Sequence, residues 1–190
     1  IITAQGPHKL AALLDTLDED RLPAIARSAL TSLTAQLDSL AAEIRTLEHQ
    51  LMVWHRTDET SQRLETIPGV GLMTATALSA SIPDPSVFKT GRQFAAFLGL
   101  VPRQNSSGGK ERLGRISKMG DGYLRRLLVV GATSVIRRVG TNTSATGEWV
   151  RRLLERKPAR VATVAMANKT ARIAWAVLAR GETYRAPAMA

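Results

Sequence analysis

The chain has 190 residues, of which 44% are hydrophobic and 4% aromatic, so a core built mainly from aliphatic side chains is expected. It contains no cysteine, which excludes disulfides and cysteine-based zinc sites. No uninterrupted apolar run is long enough for a membrane helix, so we expect a cytoplasmic protein without a membrane partner.

The net charge of +10 is unevenly distributed along the chain. Residues 1–65 carry 6 lysines and arginines against 10 acidic residues, whereas residues 66–190 carry 20 against 6. An acidic first third and a basic remainder indicate two parts with different partners. The basic part is the candidate for nucleic-acid binding, because its cations can replace the counterions of a polyanion.

The first part of the chain predicts a coiled coil. Residues 1–21 are interpreted as a connecting segment, and the start at Ile1 leads us to expect a fragment that lacks an N-terminal neighbour. Over residues 22–62 we predict one coiled-coil helix, with apolar residues at alternating intervals of three and four: Leu30, Leu33, Leu37, Leu40, Ile44, Leu47, Leu51 and Trp54. Such a seam usually packs against a helix of a second subunit, and the alternative is packing on its own domain. We expect His49 and His55 at the surface.

Residues 63–184 predict a compact helical domain that opens with the turn Ile67-Pro68-Gly69-Val70-Gly71. A turn of this kind between two helices is typical of a helix-hairpin-helix. Gly69 and Gly71 would expose backbone N–H groups to a DNA phosphate at a helix N-terminus. The alternative is a turn that serves packing alone.

The helices that follow are predicted from their caps and apolar faces. Thr90 caps a helix that turns Phe94, Phe97 and Leu98 inward, and Asp121 caps a later one. The last helix spans residues 160–180, with its inner face at Val164, Asn168, Ala171, Trp175 and Leu178. No alternating strand of useful length is found, so the predicted fold class is all-α, with residues 185–190 as a tail.

The segment from Val101 to Asp121 is the strongest candidate for a site. It contains Ser106 and Ser107 followed by Gly108 and Gly109, and glycines let backbone N–H groups approach an anion. Five cations surround them: Arg103, Lys110, Arg112, Arg115 and Lys118. Further candidate nucleic-acid contacts lie off the apolar faces of later helices, at Arg125, Lys169 and Arg172. The alternative is a solvated, glycine-rich connector.

A serine hydroxyl needs a base before it can attack a phosphodiester, and this part of the chain does not supply an obvious one. All three histidines precede residue 66, and no cluster of residues has metal-ligand spacing. Glu111 and Asp121 flank the serines, but an ion pair and a helix cap account for them equally well. The site predicted from the residues is therefore incomplete.

Three runs of sequence resemble the C-terminal part of insertion-sequence 110 family transposases, closest to the 1111 branch. They are IPGVGLMTATALSASI, FKTGRQFAAFLGLVPRQNSSGGKERLGRISKMGDGYLRRLL and VAMANKTARIAWAVLARGETY, and the heptad helix is similar to the family's coiled-coil linker. The resemblance implies a DNA recombinase guided by a bridging RNA. It also implies a covalent 5′-phosphoserine, formed by Ser106 or Ser107.

The resemblance further implies a resolvase-like N-terminal domain with an Asp-Glu-Asp-Asp magnesium site, which is not among these residues. We therefore expect no cofactor in this stretch, with Mg²⁺ in the missing domain, and a homo-oligomer, either a dimer or a tetramer, formed through the coiled coil. On this interpretation the full-length protein is a transposase and this stretch alone is inactive. The alternative function is a non-catalytic helix-hairpin-helix module for nucleic-acid binding and oligomerisation.

Overall fold

A computed structural model describes residues 22–105, 109, 113–141 and 143–186, and most of them are helical. The helices are α1 (Ala24–Thr57), α2 (Glu59–Glu65), α3 (Leu72–Ser81), α4 (Gly91–Phe97), α5 (Gly122–Arg137), α6 (Ala145–Leu154) and α7 (Ala159–Arg180), with 3-10 turns at Pro85–Val87 and Val139–Thr141. The predicted all-α class is confirmed. The exception is a hairpin of two short strands, β1 (Pro102–Gln104) and β2 (Leu113–Ile116). No helix of the described ranges combines the length and apolarity of a membrane span.

Helix α1 runs unbroken through the predicted heptad, because no glycine or proline follows Pro23 within it. Five apolar side chains of the heptad are between 44% and 58% exposed: Leu33, Leu37, Leu40, Ile44 and Leu47. The helix ends at Thr57, so the segment predicted as one helix over residues 22–62 consists of α1 and the first part of α2. An apolar stripe on the surface of a single chain leaves a face that a partner helix can cover.

The junction between α1 and α2 is held by side chains. Asp58 caps α2, and its Oδ2 also accepts a hydrogen bond from Ser79 Oγ at 2.6 Å. His55 is buried, so its predicted place at the surface is wrong. The chain reverses at Asp58 and brings Ser61 Oγ within 2.7 Å of His55 Nδ1 and Glu65 Oε2 within 2.9 Å of His55 Nε2. Both nitrogens of the His55 imidazole therefore have a hydrogen-bond partner.

The glycine turn between α2 and α3 packs backbone to backbone on α5. Gly69 has φ +86, in the left-handed region, and a Cβ added there would lie 2.9 Å from the carbonyl oxygen of Gly131. A Cβ added to Gly131 would lie only 1.8 Å from the carbonyl oxygen of Gly69. Both positions require glycine because no side chain fits between the turn and the helix.

Helix α4 begins as predicted, with Thr90 Oγ1 accepting a hydrogen bond from the Gln93 amide. Phe94 is buried as predicted, whereas Phe97 is 45% exposed, which corrects its predicted place in the core. Buried Ala95 occupies the inward position instead, because it lies on the same face of this short helix as Phe94 and Leu98. The ring of Phe97 packs beside that of Phe88, with the ring centroids 5.1 Å apart.

The core of this part of the chain forms around α7, whose buried face consists mainly of small residues. They are Ala162, Met166, Ala167, Thr170, Ala171, Ala174 and Val177. Helices α4 and α5 both pack on this helix, and α5 contributes the buried residues Leu124, Leu128, Ala132 and Val135. Of the inner face predicted for α7, only Ala171 is fully buried, because the alanines beside it allow the closest approach. Val164 and Asn168 are left half-buried.

We expect Gly131→Ala to destabilise the protein. In a helix interior, alanine is favoured over glycine by about 1 kcal/mol. Here the added methyl group would overlap a backbone oxygen that cannot rotate away, and overpacking of this kind costs roughly 1–3 kcal/mol or more. Denaturant titration should therefore show a lower unfolding midpoint. Gly140→Ala is the matched control, because a Cβ there meets nothing within 4 Å. Equal midpoints for the two variants would contradict the packing described for the turn.

Candidate nucleic-acid interface

A β-hairpin carries the serine-bearing segment. β1 and β2 pair antiparallel, with Pro102 opposite Ile116 and Gln104 opposite Leu113, so residues 105–112 connect the two strands. Gly109 is exposed and has φ +80, a conformation that favours glycine. The remaining predicted residues of this connection lie outside the described residues: Ser106, Ser107, Gly108, Lys110 and Arg112.

The base of the hairpin is fixed to two helices by side-chain hydrogen bonds. Asn168 Nδ2, on α7, donates to the carbonyl oxygen of Leu100 at 3.1 Å. Arg125 Nη1, on α5, donates to the carbonyl oxygens of Leu98 at 3.0 Å, Asp121 at 3.4 Å and Met119 at 3.5 Å. These bonds give Arg125 a structural role, and its predicted contact with nucleic acid stays a prediction.

The chain leaving β2 lies against the end of α4. The Lys118 amide donates to the carbonyl oxygen of Gly99 at 3.1 Å, and Lys118 itself has φ +56, which is uncommon for a residue other than glycine. A Cβ added to Gly120 would lie 1.7 Å from the carbonyl oxygen of Phe97. The backbone conformation at Lys118 is therefore set by the contacts on both sides of it.

Beside the hairpin base lies a basic groove of about 1780 Å³, lined by β2, the start of α4, α6, α7 and the residues after α7. Eight cations line it: Arg92, Arg115, Lys118, Arg160, Lys169, Arg172, Arg180 and Arg185. Glu182 is the acidic residue among the described residues that line it. The close approach of Gly91 to Arg172, whose carbonyl oxygen would lie 3.0 Å from an added Cβ, places the start of α4 directly on α7.

The charges of the basic groove are not neutralised within the described part of the chain. The ion pairs found among the described residues involve the cations His55, Arg63, Arg151 and Arg152, and none of these four lines the groove. Lys169 Nζ lies 4.2 Å from the ring centroid of Trp149, a cation–π contact that contributes about 0.5–1 kcal/mol at exposed sites. Burial lowers the pKa of Lys169, and the charge of Arg172 lowers it further. A bound anion would raise that pKa again, so anion binding and protonation of Lys169 favour each other.

The predicted contact residues do not all lie in one place. Four of them line the basic groove: Arg115, Lys118, Lys169 and Arg172. Arg103 is exposed on β1, where its Nη2 donates to the carbonyl oxygen of Ser117 at 3.4 Å. Five further lining residues are not predicted from the sequence: Arg92, Arg160, Arg180, Arg185 and Trp149. Helical spacing could have identified Arg180, because it lies two turns after Arg172 on the same face of α7.

The two glycines of the turn before α3 differ in their surroundings. Gly69 is packed against α5, so a larger residue there would disturb the fold as well as any contact with a phosphate. Gly71 is the N-cap of α3, and a Cβ there meets nothing within 4 Å. Neither glycine lines the basic groove. Gly71 is exposed and Gly69 half-buried, and the phosphate contact predicted for both stays a prediction.

Ser61, His55 and Glu65 form a hydrogen-bonded row outside the groove. Their residue types are those of a nucleophile, a base and an acid. Ser61 is fully buried, at 0% exposure, so its hydroxyl has no access to a substrate. The row therefore serves to satisfy the polar groups of the junction between α1 and α2. Within the residues that the structure describes, no group of histidines or carboxylates could hold a metal ion.

Comparison with known proteins agrees with the resemblance of the sequence. A profile of the Transposase IS116/IS110/IS902 family matches residues 61–148. The chain is 47% identical over 188 residues to a probable family 20 transposase of Pseudomonas aeruginosa, covering 97% of the chain and 56% of the relative. It is 47% identical over 138 residues to the transposase for insertion sequence element IS1111A of Coxiella burnetii, covering 73% of the chain and 38% of the relative.

A further relative is the transposase for insertion sequence element IS1328 of Yersinia enterocolitica. It is 41% identical over 180 residues, which cover 95% of the chain and 54% of the relative. The chain spans about half the length of the relatives from Pseudomonas and Yersinia. These matches place the chain in the IS116/IS110/IS902 family of transposases.

Proposed function

We propose that this chain is the C-terminal part of a DNA transposase, in which it binds DNA and supplies a serine nucleophile for strand cleavage and exchange. One observation carries the proposal: the hairpin that bears Ser106 and Ser107 stands at the edge of a basic groove whose charges are not neutralised by carboxylates of the described residues. A DNA strand bound at the base of the hairpin would have its phosphates over these cations. The glycine turn at Gly71 offers a second backbone contact.

The proposed step is a transesterification at phosphorus. The serine Oγ forms a bond to phosphorus, the bond from phosphorus to the 3′ oxygen breaks, and the serine proton passes to a base. The leaving 3′ oxygen takes up a proton, and the 5′-phosphoserine keeps the bond energy for rejoining. Cations around the attacked phosphate stabilise the charge that develops there.

The family resemblance assigns both the base and the Mg²⁺ to a resolvase-like domain that lies outside these 190 residues. The described lining of the basic groove offers only Glu182 as an acidic side chain, so we propose that cleavage requires that domain. A bridging RNA is proposed as the guide to the target. The second candidate function is a non-catalytic module for binding and assembly. The exposed heptad stripe of α1 supports this function as well as it supports the transposase.

Binding should be dominated by phosphate contacts. If roughly six phosphates are neutralised, the plot of log affinity against log salt should have a slope near −5. Arg172→Ala should weaken binding and reduce the slope by about 1, because it removes one cation of the basic groove. Arg126→Ala, an equal loss of charge on an exposed part of α5 outside the groove, should change neither. Fluorescence anisotropy over a salt series measures both quantities, and a slope near zero would contradict the proposed interface.

Cleavage should depend on a serine of the hairpin connection. The full-length protein, with Mg²⁺ and guide RNA, should form a covalent adduct on nicked DNA, seen on denaturing gels and located by mass spectrometry. Ser106→Ala should abolish the adduct and leave DNA affinity nearly unchanged, because one neutral hydroxyl contributes little to a phosphate-dominated interface. The 190-residue chain alone should bind DNA without cleaving it.

The matched control is Ser81→Ala, at an exposed position that ends α3. Loss of the adduct in Ser107→Ala with retention in Ser106→Ala would move the nucleophile by one residue. An adduct in the variant that lacks both serines would refute the serine mechanism and leave the binding module as the function.

We also propose that the exposed heptad of α1 joins two or more copies of the chain. Changing Leu37 and Ile44 to Asp would place unpaired charges in an apolar seam, where their burial is costly, and light scattering should then report the monomer mass. Changing Ser39 and Thr46 to Asp adds the same charges at the same spacing, off the heptad positions. This control should keep the oligomer. An unchanged mass in the first variant would exclude the coiled-coil interface.

A further inference from the structure

The basic groove has an apolar wall as well as cations. Val161, Val164 and Ala165 of α7 line it, and so does Trp149 on α6, which is half-buried. Phosphates gain nothing from such a wall, and phosphate binding alone does not require it. The wall therefore points to a ligand that combines negative charge with flat apolar surfaces.

The size of the basic groove points to a polymer. At about 1780 Å³ it exceeds the roughly 300–1,000 Å³ of sites for small molecules. Its cations are spread over the whole lining, from Arg115 on β2 to Arg160 and Arg180 near the two ends of α7. A single phosphate cannot reach all of them, whereas a polynucleotide backbone presents a charge at every residue.

We infer that the basic groove binds a single-stranded stretch of DNA, with its phosphates on the arginines and one base stacked on Trp149. A duplex hides its bases in the stack and presents phosphates and sugars to a groove, so the apolar wall would have no partner. A single strand exposes the base faces, and folds that bind single strands combine a cationic groove with an aromatic ring in the same way. The inference rests on the proposed function and specifies the form of its substrate.

Lys169 and Trp149 together suggest how the base is received. The ammonium group of Lys169 lies over the Trp149 ring, 4.2 Å from its centroid. It is crowded there by Arg172, which carries the same charge. An arriving base can replace the ammonium on the ring, and the long, flexible lysine side chain can then meet a phosphate of the same strand. The exchange replaces a weak contact by two favourable ones.

The decisive comparison is between the intact and the abasic strand, which carry the same charge. Four ligands of about 16 nucleotides, a length within known single-strand site sizes, are titrated into the 190-residue chain at one salt concentration. They are a DNA strand, the same strand with abasic central nucleotides, its duplex and the RNA of the same sequence. The intact strand should bind about fivefold or more tightly than the abasic strand, because the backbone charge is equal and only stacking is lost.

Two variants then locate the stacking. Trp149→Leu keeps an apolar side chain and should bring the ratio of intact to abasic affinity close to one. Phe97→Leu, which removes an exposed ring outside the groove, should keep the wild-type ratio. Circular dichroism checks that both variants fold. If Trp149→Leu does not fold, the conservative Trp149→Phe should keep a ratio above one, and the wild-type ratio still decides the question.

Each outcome bears on one proposal or on both. Equal affinity for the intact and abasic strands, with strong duplex binding and an adduct that depends on Ser106, would overturn the single-strand inference and leave the proposed function intact. The single-strand inference is likewise overturned if Trp149→Leu folds and keeps the wild-type ratio of intact to abasic affinity. RNA binding at least about tenfold tighter than DNA would make RNA the occupant. Absence of binding to every ligand at low salt would overturn the proposed function too.

Discussion

The close packing of α4 and α5 on the alanine face of α7 is the contact on which the rest of the domain depends. Small side chains let the helix backbones approach, and Gly91 brings the start of α4 onto the carbonyl of Arg172. Because one side of α7 is used in this way, its other side is left to face the hairpin and α6. The basic groove is thus a result of how the core is packed, and half of its eight cations stand on α7.

A second constraint is the repulsion among like charges that this arrangement collects. In most surfaces carboxylates are interspersed with lysines and arginines, but the described lining of the basic groove has only Glu182 to offset its cations. The lowered pKa of Lys169 is a local sign of the cost, since its charged form is disfavoured by burial and by Arg172. At pH values below that lowered pKa, the charged lysine reduces the free energy of unfolding. This reduction becomes smaller as the pH rises toward the ordinary pKa of lysine.

Much of the fold could be predicted from local signals, whereas the site required tertiary contacts. The heptad, the caps at Thr90 and Asp121 and the apolar face of α5 all depend on residues near in sequence. The hairpin was missed because strands of three and four residues leave no alternating pattern. The roles of Arg125 and Asn168 depend on carbonyl groups distant along the chain, and His55 is buried only because the chain reverses at Asp58.

The positive charge that the described residues leave unneutralised in the basic groove would also affect how a DNA target is chosen under the proposed function. Cations that meet phosphates attract every nucleic acid alike, since phosphate contacts position a protein without carrying sequence information. A genome offers on the order of 10⁶–10⁹ competing sites of this kind, so a chain that bound DNA through this groove, as proposed, would occupy mostly sites that it does not alter. Under the proposed function, affinity and target choice would therefore have separate origins, because phosphate contacts do not distinguish one sequence from another.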